Sequence, residues 1–121
     1  MSAGHTITVT PRDVRVEVRL AGELLAATDR PLCLSETGLP DRWYVPREDV
    51  RMDLLRATSF ETTCPFKGQA SYWSAELDGT TYDGIVWAYE APIDAASAIA
   101  GHLCFYPTRT ETTVDGEPVA A

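Results

Sequence analysis

From Val14 to Leu20 apolar and charged residues alternate without a break, with Val14, Val16, Val18 and Leu20 on one parity and Arg15, Glu17 and Arg19 on the other. A period of two puts every apolar side chain on one face of an extended chain, so this run predicts a half-buried β-strand and argues against a helix. Shorter extended pieces follow, each bounded by turn residues. Ala21-Gly22-Glu23 turns the chain into a strand over 24–28, and strands over 32–35 and 43–45 bracket a turn at Thr37-Gly38-Leu39-Pro40. Pro46 leads one helical turn at Arg47-Glu48-Asp49. Residues 50–57, with Met52, Leu54 and Leu55, fit a strand or a short helix, and a strand is expected. Asp78-Gly79 is the strongest hairpin signal in the chain and joins strands over 69–77 and 80–82, with another at 85–89. The alanine-rich stretch 92–101 predicts one short α-helix, near residues 93–100, with Gly101 as its left-handed stop. A core strand at 103–106 and a weaker one at 110–114 complete the reading. Many short strands with one short helix predict a mainly β fold of small antiparallel sheets, closed or nearly closed.

The chain has 121 residues, the size of one domain, with its core expected at about 14–114 and flexible tails at 1–5 and 116–121. Its net charge of −8 repels phosphate backbones, and no basic patch offsets it, because Arg12, Arg15 and Arg19 alternate with Asp13 and Glu17. A nucleic-acid partner is therefore not expected. The first residues lack the basic start and apolar run of a signal peptide, and no stretch approaches the roughly 20 apolar residues of a membrane span. Three scattered cysteines, Cys33, Cys64 and Cys104, form no disulfide framework and point to a reducing, cytoplasmic setting. Without a C-x-x-C pair, neither a structural zinc site nor any other cofactor is expected.

Three runs carry a family likeness: Tyr44-Val45-Pro46-Arg47-Glu48-Asp49-Val50, then Thr63-Cys64-Pro65-Phe66-Lys67-Gly68-Gln69-Ala70-Ser71-Tyr72-Trp73, then Trp87-Ala88-Tyr89-Glu90-Ala91-Pro92. With Ile99, Gly101 and Phe105-Tyr106, they make the chain resemble the bacterial domain-of-unknown-function family 427 over about Val14 to Val114. The resemblance implies a β-tent-like fold, in which small antiparallel sheets lean together over a pocket. That family is sometimes labelled nucleotidyltransferase-like. Familiar nucleotidyltransferases hold two metals with an Asp-x-Asp pair after a Gly-Ser turn, and neither motif occurs here.

Candidate site residues gather at the Thr63–Gly68 loop. Cys64 precedes proline, which extends its backbone; beside a lysine its thiol could act as a nucleophile, or it could simply pack. Lys67 is the only lysine, followed by Gly68, which lets a ligand or another backbone approach. It offers a charge for phosphate or carboxylate, or else an ion-pair partner for Glu36, Glu48 or Asp49. Tyr72, Trp87 and Tyr89 suit either a core or a pocket wall, and Trp87 and Tyr89 share a strand face while Tyr72 and Trp73 oppose. Glu36 and Glu90 are acids near turns that could reach the same mouth, and neither histidine, His5 or His102, is placed to serve Cys64. Three functions follow: a pocket for a small anionic metabolite using Thr63, Lys67, Gly68, Glu36 and the aromatics; a cysteine-dependent enzyme using Cys64; or an aromatic pocket that captures a peptide.

Overall fold

The computed structural model describes residues 5–119 and contains eleven strands in three antiparallel sheets. In chain order these are β1 (Ile7–Pro11), β2 (Val16–Leu20), β3 (Glu23–Thr28), β4 (Leu32–Glu36), β5 (Arg42–Tyr44), β6 (Leu55–Cys64), β7 (Gly68–Leu77), β8 (Thr80–Tyr89), β9 (Leu103–Phe105), β10 (Glu111–Val114) and β11 (Glu117–Pro118). The sheets run β1-β4-β5, β11-β10-β2-β3 and β6-β7-β8-β9, and none closes on itself. The mainly β expectation holds, as open sheets and not a barrel.

The β6–β9 sheet is central, with apolar packing on both faces. On one face Trp73, Val86, Ala88 and Phe105 pack against Val16, Val18 and Leu25 of the β2–β3 sheet. On the other, Ala70, Trp87, Tyr89 and Cys104 meet Leu34 and Tyr44 of β4 and β5, together with Ile99. This explains why Ile85-Val86-Trp87-Ala88-Tyr89 is an unbroken buried run and does not alternate. Both faces of the strand are covered, so polarity is excluded from both parities. A seam joins the sheets: Val45 and Leu103 exchange backbone hydrogen bonds of 2.8 and 2.9 Å.

Two irregularities shape the central sheet. Between β6 and β7, residues 58–60 stand opposite Tyr72 alone; between β7 and β8, residues 83–85 stand opposite Ser74 alone. Surplus residues of this kind bend a strand and raise its local twist. The β7–β8 hairpin closes as expected at Asp78-Gly79, with φ of 49° and 80°, the left-handed pair that matches strand twist.

Several expectations need correction. The helix near 93–100 exists at Asp94–Ile99 but is a 3-10 helix with non-helical geometry at Ala96, since six residues are too few to repay α-helix nucleation. Residues 50–57 split into a 3-10 turn at Met52–Leu54 and the start of β6, and 80–89 is one strand, not two. Ile7–Pro11, placed outside the expected core, forms edge strand β1 on β4, and Glu117–Pro118 pairs with β10. Of the expected tails, residues 1–4 and 120–121 lie outside the described residues, while His5 makes the contacts given below. Among the described residues no helix is long and apolar enough to cross a membrane.

Candidate functional site

The Pro65-Phe66-Lys67 turn joins β6 to β7 and is closed by the Lys67 amide donating to the Cys64 carbonyl at 3.2 Å. Gly68 follows with φ of 114°, and a Cβ there would lie 3.4 Å from the Ala91 carbonyl oxygen and the Pro92 Cα. The close approach that this glycine permits is thus one of backbone to backbone. The Ile93 amide completes it by donating to the Lys67 carbonyl at 3.0 Å. The turn is thereby pinned to the segment before the 3-10 helix, and the Lys67 side chain is directed at β4.

There Lys67 Nζ meets Glu36 Oε1 in an ion pair whose side chains are only 12% and 7% exposed. The other Glu36 oxygen lies 2.9 Å from His5 Nε2, and the His5 ring stacks on Phe66 at 3.7 Å between centroids. Of the three acids offered as partners for Lys67, Glu36 takes it; Glu48 and Asp49 face Arg30 instead.

Glu36 and Lys67 stand on the wall of a cavity of about 240 Å³ between the β4–β5 edge and the central sheet. Arg42, Tyr72, Trp87 and Tyr89 also line it. The register explains the convergence. Tyr72 is directly opposite Trp87, and Ala70 is opposite Tyr89, so the three aromatics share one face. The Trp87 indole donates to the Tyr44 hydroxyl at 3.1 Å and leans on Tyr106 with centroids 4.5 Å apart. Burial pushes the Tyr44 and Tyr89 hydroxyls above the usual tyrosine range. Burial, and then the Tyr72 hydroxyl beside it, pushes Tyr106 up to about 12. These phenols stay protonated at neutral pH, and that of Tyr44 accepts the Trp87 indole N–H.

Arg42 was not singled out by the sequence. Its Nη1 is buried and has no hydrogen-bond partner among the described residues. An unpaired buried donor on a charged group is costly, so such an atom marks a place for an acceptor. The same side chain borders a second void of about 10 Å³, room for one water at most. The signal was present in strand parity: Arg42 and Tyr44 are two apart on β5 and share a face, which for Tyr44 is the one turned to Trp87. Glu36, Arg42 and Lys67 together carry +1 inside a chain of net charge −8.

The remaining candidates do not line the cavity. Thr63 is exposed, and Gly68 serves the backbone contact. Cys64 is half-buried against the Trp87–Tyr89 cluster, with His5 engaged by Glu36 and His102 Nδ1 3.2 Å from the Ala100 carbonyl. Glu90 is exposed and pairs at 3.6 Å with Arg47, whose guanidinium lies over Trp73 on the other side of the sheet. Among the described residues no three His, Cys, Asp or Glu side chains gather to hold a metal.

A family model described as a domain of unknown function (DUF427) matches residues 8–116. A comparison with curated proteins finds no match.

Proposed function

The chain belongs to the DUF427 family, whose description carries no activity, and from that premise we propose that it binds a small anionic metabolite in the cavity between β4–β5 and the central sheet. The carrying observation is Arg42, which lines the cavity together with Lys67 and whose buried Nη1 has no hydrogen-bond partner among the described residues. Lys67 is already paired with Glu36, which fixes its position, so Arg42 supplies the free charge and Lys67 a second, oriented donor. A planar guanidinium matches a carboxylate or phosphate in two-point geometry. The aromatic walls lower the local dielectric and strengthen that attraction. The small concave site and the acidic surface favour a metabolite over nucleic acid. The free thiols Cys33, Cys64 and Cys104 support a reducing, cytoplasmic setting.

Thermal-shift measurements with carboxylates, inorganic phosphate, sugar phosphates and nucleotides test the reading. A ligand at 100 times its Kd adds about 2.7 kcal/mol, a rise of several degrees in Tm. The rise is expected to vanish in Arg42→Gln and to shrink in Lys67→Ala. A rise retained in both variants overturns the assignment.

A further inference from the structure

The anion cavity is small. At about 240 Å³ it lies under the range of roughly 300–1,000 Å³ usual for small-molecule sites. Beside it, sharing Tyr72 and Tyr106 as lining residues, is an outer chamber of about 630 Å³. Its other walls include Thr58, Phe60, Ser74 and Gly84. These are the residues of the two irregularities in the central sheet, where 58–60 oppose Tyr72 and 83–85 oppose Ser74. The chamber is therefore a product of the bulges. At both places the surplus residues interrupt the regular pairing with β7, and the hollow lies there, lined by Tyr72 and Ser74. Local hydrogen bonds hold this geometry: the Thr58 hydroxyl donates to the Tyr72 carbonyl at 3.0 Å, and the Gly84 amide donates to Ser74 Oγ at 3.0 Å.

The chamber's lining is mostly apolar, its charged residues being the exposed Asp83 and Arg109. Phe60 is 60% exposed, although its ring rests on Tyr72 with centroids 5.1 Å apart. An aromatic ring left that open beside a second ring offers a planar group a place to stack. The charged end lies on the other side of the shared tyrosines, at Arg42 and Lys67.

We infer that the two cavities form one site and that the anion proposed above is the acidic end of an aromatic acid, its ring beside Phe60 and Tyr72 and its acid group at Arg42. This deepens the binding reading and rests on it. The ring would cover exposed apolar surface, while the acid would meet the Arg42 guanidinium on the cavity wall. The inner cavity has no open ring, and the only cation of the outer chamber is Arg109, exposed to solvent with Asp83 on the same lining.

NMR titration of the whole chain with five probes tests this: acetate, inorganic phosphate, phenylacetate, phenyl phosphate and benzyl alcohol. The two aromatic acids are expected to bind at least about tenfold tighter than acetate and phosphate, from burial of the ring. Phe60→Ala, a change at an exposed side chain, is expected to weaken the aromatic acids about 2- to 10-fold and leave acetate unchanged. Arg42→Gln is expected to weaken all four acids. If aromatic acids bind no tighter than acetate and ignore Phe60→Ala, the joined site is wrong while the anion cavity stands. If benzyl alcohol equals phenylacetate and Arg42→Gln changes nothing, the anion reading fails and the joined site falls with it.

Discussion

Trp87 connects stability to the site through one side chain. It is 8% exposed, holds the Tyr44 hydroxyl, leans on Tyr106 and forms part of the cavity wall. Burying roughly 150–250 Å² of aromatic surface at about 25 cal/mol per Å² is worth about 4–6 kcal/mol before entropy is subtracted. Trp87→Ala is therefore expected to cost about 3–5 kcal/mol in urea unfolding, and a loss below about 1 kcal/mol would show that the indole is not packed. At this scale the sequence was legible where a residue was unusual. A sole lysine ahead of a glycine drew the eye to Lys67, and Glu36 was among its named partners. Arg42 was not legible by composition, since it is one arginine among many, and its significance arises only from burial that strand pairing creates. Cys64 was overread. Its place beside Lys67 in sequence does not bring it into the cavity, because it sits on the strand side of the turn.

Elements were legible where local chemistry alone decides them. The Asp78-Gly79 turn is such a case: the strands can twist together only if both residues adopt positive φ. A Cβ at Gly79 would meet nothing within 4 Å, so Gly79→Ala tests the backbone alone. It is expected to destabilise the fold by about 1–2 kcal/mol, read by thermal unfolding; an unchanged Tm would mean that the hairpin tolerates another turn. The alternation at β2 was equally direct. Other elements were obscured by their surroundings. Edge strand β6 is mostly exposed and shows no alternation, so its start was misplaced. β1 has only Ile7 and Val9 to signal it, and both are half-buried. β8 was expected as two strands, 80–82 and 85–89; the gap between them, Asp83 and Gly84, belongs to the surplus residues that line the outer chamber.

Across the whole molecule, the two cores leave an imprint on titration. Tyr44, Tyr89 and Tyr106 are three of five tyrosines, and burial raises the pKa of each. A free tyrosine ionises near about 10, so above that pH the unfolded chain releases protons that the folded chain keeps. The stability these groups contribute is complete below about pH 10 and declines as pH rises, for Tyr106 across the interval up to about 12. Tyrosinate absorbance followed with circular dichroism is expected to show fewer than five ionisations in the native state, the rest appearing with unfolding. Ionisation of all five with the fold intact would contradict the burial. The double-faced central sheet also separates tasks by parity. Along β8, Val86 and Ala88 belong to the structural core, while Trp87 and Tyr89 face the cavity. Neighbours in sequence thus carry different loads: the even positions hold one core alone, while the odd ones hold the second core and shape the pocket at once, so recutting the pocket there is also a change to the fold's stability.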